Sequence, residues 1–343
     1  MGIHPAKDSL NAAVVTAALA RALDGAGRFA GATTPNPPVG CVLLDAAGTV
    51  IAEGYHRKAG MAHAEAEAIA SARAAGLVER IDTVVVTLEP CNHHGRTPPC
   101  ADAILATPAR RVIIGAPDPN PGVAGGGAVR LAAAGLSVSF AADLPGERAG
   151  TLARRASRLI APFSKHVLTC LPWVTVKQAL DETDDMVPPA GAKTFTSPSS
   201  LVLAHRLRRR ADAILTGSGT ILADNPEFTV RRVADFAGKS RILAILDRRS
   251  RVPDAYVAAA EARGFRVIRP EALEAALEEL GRRGIMEVLV EAGPTLTAAV
   301  LQGGFWDEHV LIHKDNPDRV RVFHRSLEFD ASDIAVLPHG EEE

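Results

Sequence analysis

Cysteine is scarce in this chain, four in 343 residues, and no basic stretch followed by an apolar one opens it. That combination argues against a disulfide framework and against a signal peptide. The thiols are expected to be metal ligands or buried side chains, and the compartment the cytoplasm. No apolar run approaches the roughly 20 residues that cross a bilayer, so no membrane partner is expected. An excess of one charge is missing too. Lys and Arg number 38 against 40 Asp and Glu, a formal net charge of -2, whereas nucleic-acid binders carry a clear basic excess. The balance argues against a DNA or tRNA substrate. There is no internal repeat and no low-complexity tract. What remains is ordinary globular composition, 47% hydrophobic and 23% charged. The length favours two domains over one core.

Strand and helix patterns alternate along the chain. Asp8 or Ser9 is expected to cap a helix carrying Val15, Leu19 and Leu23, with Gly25 ending it. Val39 to Leu44 and Thr49 to Ala52 read as strands joined by the turn Asp45-Ala46-Ala47-Gly48. An alanine-rich helix from about Ala64 to Gly76 precedes a buried strand, Thr83 to Leu88. After a loop rich in Cys, His and Pro come a helix from about Cys100, a strand at Arg111 to Ile114, a helix near Gly127 and a strand at Ser137 to Phe140. Residues 1–146 thus read as an α/β sandwich. Pro145, the basic stretch Arg154 to Arg158, Pro162 and Pro172 mark 147–172 as a linker. Residues 173–343 alternate again. Strands are expected at about Val174 to Ala179, Ala213 to Thr216, Arg241 to Leu246, Arg266 to Ile268, Glu287 to Glu291 and Glu308 to Ile312. Helices are expected at about Ser197 to Arg210, Asp254 to Gly264, Glu271 to Gly281 and Thr295 to Gly303. Such alternation predicts a largely parallel sheet covered by helices.

The residues that carry chemistry are His63-Ala64-Glu65, Pro90-Cys91 and Cys100. His63 and Glu65 fall where a helix begins, Cys91 follows a buried strand, and Cys100 opens the next helix. Ligands of types His, Cys and Cys leave one tetrahedral position for water, the mark of a catalytic zinc. Glu65, two residues from the ligand histidine, is placed to carry a proton from water to a departing amine. Helix starts also favour the thiolates of both cysteines. Zinc deaminases carry His-x-Glu followed by Pro-Cys-x-x-Cys; here eight residues separate the cysteines instead of two. Singly, each residue would pass for a helix-start histidine or a buried thiol. Their order and placement together point to zinc. A structural zinc is the alternative, and it needs a fourth ligand that His93 or His94 could supply.

The loop from Pro90 to Cys100, PCNHHGRTPPC, is the most specific stretch. With Pro35-Asn36-Pro37-Pro38-Val39-Gly40, Gly54-Tyr55-His56, Gly60 to Glu65 and Asp118-Pro119-Asn120-Pro121, it closely resembles the deaminase half of the bifunctional riboflavin-biosynthesis deaminase/reductases. The resemblance implies a cytidine-deaminase-like α/β/α sandwich followed by a dihydrofolate-reductase-like α/β domain. It implies zinc-dependent deamination of 2,5-diamino-6-ribosylamino-4(3H)-pyrimidinone 5′-phosphate, then reduction of the ribosyl chain to ribityl with NADPH. By the same resemblance Asn36, His56, His93 and Arg96 lie around the substrate. An amide and imidazoles can read the ring's polar edge, and an arginine can hold a phosphate oxygen.

The second half resembles the family's reductase half through Arg208, Ala211-Asp212-Ala213-Ile214-Leu215, Gly217-Ser218-Gly219-Thr220, Asp224-Asn225-Pro226, Phe228 to Arg231, and Glu291-Ala292-Gly293-Pro294. The resemblance assigns Lys177, Arg208, Phe228, Arg231 and Glu291 to the phosphorylated substrate. It assigns Thr196, Thr220, Asp224 and Gly293 to NADPH. A glycine-rich turn opening a helix suits a dinucleotide phosphate, because unpaired N–H groups point there.

Two stretches depart from the family. Its Ser-Leu-Asp-Gly becomes Ala179-Leu180-Asp181-Glu182, and its serine and tryptophan become Ala192 and Thr194. After Asp307-Glu308, His313-Lys314-Asp315-Asn316-Pro317 replaces Pro-x-Leu-Leu-Gly. Glutamate in place of a tightly turning glycine requires a different loop path. Loss of the tryptophan removes a surface worth about 1–3 kcal/mol of burial or stacking. Two outcomes stay open for this half, a working reductase with a divergent loop or a degenerate domain serving stability or assembly. From other classes stand a nucleic-acid or free-nucleoside deaminase and a zinc-stabilised binding module. Homo-oligomerisation is left open by the sequence.

Overall fold

Helix α1 (Ala12–Gly27) is capped by Asn11, whose Oδ1 accepts from the Ala13 N–H at 2.8 Å. The expected caps, Asp8 and Ser9, lie outside the described residues, and the helix runs past Gly25. The computed structural model describes residues 11–92, 98–120, 126–188 and 194–325, with the backbone of 327–330. The chain divides into two units, Met1–Ser164 and Lys165–Glu343.

In the first unit, β1 (Gly40–Leu44) and β2 (Val50–Tyr55) form a hairpin. Asp45 fixes its turn by accepting from the N–H groups of Ala47 and Thr49 at 3.0 and 2.9 Å. There follow α2 (Ala64–Ala74), β3 (Thr83–Leu88), α3 (Cys100–Leu105), β4 (Arg111–Ala116), α4 (Gly126–Ala133), β5 (Ser137–Phe140) and α5 (Glu147–Leu159). The sheet order is β2-β1-β3-β4-β5, with β1 antiparallel to both neighbours and β3, β4 and β5 parallel. Alternate strand residues point to opposite faces. Val42, Leu44, Val85 and Ile113 meet α1 and α5 in one core, while Leu43, Val84, Val86 and Ile114 meet α2, α3 and α4 in the other. The expected α/β/α sandwich is present.

The stretch 147–172, expected as a linker, is instead largely helical, as α5 and then α6 (Ala161–Thr169). Helix α5 buries Ala149, Leu152, Ala153 and Ala156, and the last three belong to the first unit's core. Arg154, Arg155 and Arg158 occupy the rest of that helix, which is why its narrow apolar stripe reads as a basic connector. The division between units falls inside α6.

The second unit comprises β6 (Trp173–Leu180), α7 (Pro198–Arg210), β7 (Ala213–Gly217), α8 (Ser218–Asp224), β8 (Arg241–Leu246), α9 (Asp254–Ala262), β9 (Phe265–Ile268), α10 (Leu273–Arg282), β10 (Glu287–Val290), α11 (Pro294–Gln302), β11 (Glu308–His313), β12 (Arg319–His324) and β13 (Leu327–Asp330). Its sheet runs β13-β12-β11-β6-β10-β7-β8-β9. The strands from β11 to β9 are parallel, and β12 and β13 are antiparallel additions. The parallel sheet was legible. Helix α8 was not, because seven residues carry little periodic signal. Strand β12 carries a period-two signal, Arg319-Val320-Arg321-Val322. Parallel strands bring their C-terminal ends to one edge, where open α/β sheets place ligands.

The two departures from the family meet at that edge. His313 pairs with Leu180 in the ladder, and the Lys314 N–H donates to the Leu180 carbonyl at 2.8 Å. Lys314 Nζ lies 3.0 Å from Glu182, and His313 Nε2 lies 3.1 Å from Asp184. The left-handed turn residue is Asp184, at φ 63°, and not Glu182. Asp181 Oδ1 closes the turn by accepting from the N–H groups of Thr183 and Asp185 at 2.8 and 3.0 Å. Ala192 lies outside the described residues. Among the described residues, no helix is long and apolar enough to cross a membrane.

Candidate active site

His63 is the N-cap residue of α2, with extended backbone, so its ring leaves the helix start while Glu65 sits in the first turn. Cys91 follows β3 by way of Pro90, and Cys100 is the first residue of α3. The sheet thus delivers one ligand and two helix starts deliver the others. His63 Nδ1 lies 3.7 Å from Cys91 Sγ and 3.3 Å from Cys100 Sγ. All three ligand atoms lie within 4.8 Å of one another. One soft nitrogen and two thiols converging this closely fit a zinc ion. The Cys100 N–H donates to Cys91 Sγ at 3.3 Å.

Charge at the site follows from these contacts. The Cys100 thiol hydrogen bond drives Cys91 down against its burial, with His63 and the Cys100 N–H helping. Cys100 moves upward, through its hydrogen bond to Cys91 first and its burial second, with the negative charge of Glu65 and Cys91 adding. Glu65 is buried, 4% exposed, and burial is the main cause holding its carboxyl above the usual range, with Cys91 adding. A carboxyl that takes up a proton readily suits a proton carrier.

The floor of the site depends on a close approach between β2 and α2. A Cβ on Gly54 would lie 2.2 Å from both the Ala64 carbonyl and the Ala68 nitrogen, so only glycine lets the helix cross here. Glu67 then ties the strand end to the helix, accepting from the Tyr55 N–H at 2.7 Å and from Arg57 at 2.8 Å. This seats His56 beside His63, ring centroids 5.5 Å apart and edge to face. His56 is 2% exposed. Its Nδ1 lies 3.0 Å from the Ala62 carbonyl, which can only accept, so Nδ1 donates. Nε2 therefore accepts from the Asn36 amide at 3.2 Å. Burial pushes the imidazole below its usual range. Both ring nitrogens of His56 are thus engaged within the protein. His93 and Arg96, and the alternative ligand His94, lie outside the described residues.

A second constellation lies at the C-terminal edge of the large sheet. Arg208 on α7 forms a two-pronged ion pair with Glu291 at the end of β10, at 2.6 and 3.1 Å. Burial alone would raise Glu291, yet Arg208 and Lys177 hold it below the usual range. Lys177, in β6, is pushed down by burial, with Arg208 adding and Glu291 opposing. The Arg208 guanidinium sits 5.8 Å from the centre of the Phe228 ring and donates to the Thr229 carbonyl at 3.3 Å. Arg231 is half exposed and pairs with Glu227. Thr220 Oγ1 accepts from the Gly293 N–H at 2.8 Å, joining the two turns assigned to the dinucleotide. Thr196 bonds Thr194 at 2.9 Å. Asp224 closes α8 four residues after Thr220.

Two residues escaped the sequence reading. Buried Glu89 accepts from the Asp118 N–H at 3.3 Å and the Ala128 N–H at 3.0 Å, which braces the segment leading to Cys91. His205 is buried one turn before Arg208, and its three-residue spacing on the helix was the signal that could have found it.

Family models match a stretch of each unit. Residues 15–116 match the cytidine and deoxycytidylate deaminase zinc-binding region, and residues 186–314 match the RibD C-terminal domain. The chain is 35% identical to riboflavin biosynthesis protein RibD of Escherichia coli, over 93% of this chain and 90% of that protein. It is 38% identical to RibD of Mycobacterium tuberculosis, over 84% and 81%. Among solved structures, RibD of Acinetobacter baumannii superposes with a TM-score of 0.72 at 30% identity, covering 88% of this chain and 86% of that one. A diaminohydroxyphosphoribosylaminopyrimidine deaminase/5-amino-6-(5-phosphoribosylamino)uracil reductase from Thermotoga maritima gives 0.73 at 30% identity, with the same coverage.

Proposed function

The chain belongs to the RibD family of bifunctional riboflavin-biosynthesis deaminase/reductases, and on that premise we propose how its own residues divide the work. The first unit is a zinc-dependent pyrimidine deaminase. Its substrate is the phosphorylated aminopyrimidine 2,5-diamino-6-ribosylamino-4(3H)-pyrimidinone 5′-phosphate. The observation that carries this reading is the convergence of His63, Cys91 and Cys100 within 4.8 Å beside a buried carboxyl, Glu65.

His63, Cys91 and Cys100 would hold the metal. A zinc bound there would lower the pKa of water and so make hydroxide available at neutral pH. Glu65 takes a proton at its carboxylate and returns it to the departing amine as ammonia leaves. Asn36, its amide fixed by His56, reads the polar edge of the ring. His93 and Arg96 complete the substrate site on the family resemblance, Arg96 toward the phosphate.

The second unit reduces the ribosyl chain of the deaminated product. NADPH, when bound, would supply the hydride. Thr196, Thr220, Asp224 and the turn at Gly293 bind the dinucleotide, and Lys177, Arg208, Phe228, Arg231 and Glu291 meet the phosphorylated sugar. The departing loops favour a divergent but working reductase over a degenerate domain, because they are joined to each other through Lys314–Glu182 and His313–Asp184. The compartment is the cytoplasm, in keeping with free thiols.

Incubation with the diaminopyrimidine substrate, with and without NADPH, tests both halves at once. Ammonia release without NADPH reports the deaminase. A product mass higher by one hydride and one proton with NADPH reports the reductase. Absence of ammonia from metal-replete protein would overturn the reading.

A further inference from the structure

Outside the residues that the family resemblance assigns, one buried titratable side chain has a partner that dictates its chemical state. His205 lies on α7, three residues before Arg208 and so on the same face of the helix, and it is 3% exposed. Its Nδ1 lies 3.0 Å from the backbone N of Arg231. A backbone N–H can only donate, so Nδ1 carries the lone pair and the proton of a neutral ring sits on Nε2. Protonation of Nδ1 would destroy the bond. The surroundings keep it bare: burial first, then Arg208, Arg231 and Arg232, push the imidazole down to about 4, with Glu291 opposing.

The bond matters because of the segment it holds. Phe228 is buried in a left-handed conformation, φ 56°, which a bulky residue adopts only when its surroundings enforce it. Two contacts from α7 enforce the path that follows. Arg208 donates to the Thr229 carbonyl, and one helical turn earlier His205 accepts from the Arg231 N–H. Arg208 is itself anchored by Glu291. The backbone of Arg231 is thereby registered against Arg208.

We infer that His205 is a positioning residue of the reductase half, a neutral acceptor that sets the spacing of Arg231 from Arg208 so that both cations meet the phosphate of the reductase substrate. This rests on the reading that Arg208 and Arg231 contact that substrate.

The test uses the full-length protein and the freshly deaminated substrate, comparing His205→Leu, His205→Asn and Arg231→Ala. Asn carries an acceptor oxygen close to where Nδ1 lies; Leu keeps volume without an acceptor. His205→Leu is expected to raise the KM for the phosphorylated substrate on the order of tenfold, with the KM for NADPH and the deamination rate unchanged. His205→Asn is expected to restore the parental KM. Unchanged KM in His205→Leu, equal impairment in both His205 variants, or a parallel rise in the KM for NADPH overturns the inference. NADPH binding by each variant reports whether the second unit is folded. Its loss in His205→Leu makes the residue structural and likewise overturns the inference. Arg231→Ala separates the two levels. If it leaves the KM unchanged, the reading of Arg231 fails; if it raises the KM while His205→Leu does not, only the role of His205 fails.

Discussion

The backbone N–H of Cys100 donates to the Sγ of Cys91 at 3.3 Å, closing a loop in which eight residues separate the two cysteines. Zinc deaminases of the shorter pattern have two intervening residues. Closure entropy grows slowly, about 0.6 kcal/mol per doubling of loop length, so the longer excursion costs on the order of 1 kcal/mol. A single hydrogen bond to a thiolate from the first N–H of α3 offsets a cost of that size. The unusual spacing is therefore compatible with the usual ligand geometry.

Cys100→Ser should remove one thiolate and leave His63 and Cys91, too few donors of the right softness to hold zinc tightly. The expected outcome is loss of metal, read by atomic absorption of the purified protein, together with loss of deamination. Full activity in metal-free Cys100→Ser protein would sink the assignment.

Glu65→Gln keeps shape and hydrogen bonding but cannot cycle a proton. The variant should retain about one zinc per chain while its deamination rate falls on the order of 10²-fold or more. Near-normal turnover would mean that another group carries the proton.

The ion pair of Arg208 and Glu291 sets a prediction for the second unit. Glu291→Leu leaves Arg208 buried without its carboxylate partner, and breaking a buried pair from one side costs about 3–5 kcal/mol. The first unit should keep its zinc. The sign of the pH dependence follows from the direction of the shift. Glu291 is held below its ordinary value of 4.5 in the folded state, so its contribution is present above that pH and is lost as pH falls through the lower folded value. Melting of the parent should weaken below pH 4.5 more steeply than melting of Glu291→Leu. Equal acid sensitivity of the two proteins would exclude this pair as the cause.

NADPH titration decides how the departing loops behave. The join between the segments at Asp181–Asp185 and His313–Lys314 is expected to support micromolar NADPH binding and steady NADPH oxidation with freshly deaminated substrate. Loss of the tryptophan surface at Thr194 would, uncompensated, cost one to two decades of affinity, at about 1.4 kcal/mol per decade. Binding weaker than millimolar with no turnover would leave the second unit as a degenerate domain.

Much of this protein is legible in its sequence. Period-two and helical patterns gave the strands and most helices, because burial on one face writes itself into local spacing. His63, Glu65, Cys91 and Cys100 were legible because ligand chemistry restricts residue type at element ends, and such restriction is local. Helix α5 was not, since Arg154, Arg155 and Arg158 mask a stripe of mostly alanines whose burial depends on α1 and β4 being in place. The joining of Glu182 to Lys314, the engagement of both His56 nitrogens and the acceptor role of His205 were not legible either. Each depends on a partner from a different segment, 132 positions away for Lys314, 20 for Asn36 and 26 for Arg231. A sequence states which groups can donate, accept or carry charge. Which donor meets which acceptor is decided only when the sheet brings distant strand ends to one edge, because a hydrogen bond extends little beyond 3 Å and has no reach along the chain.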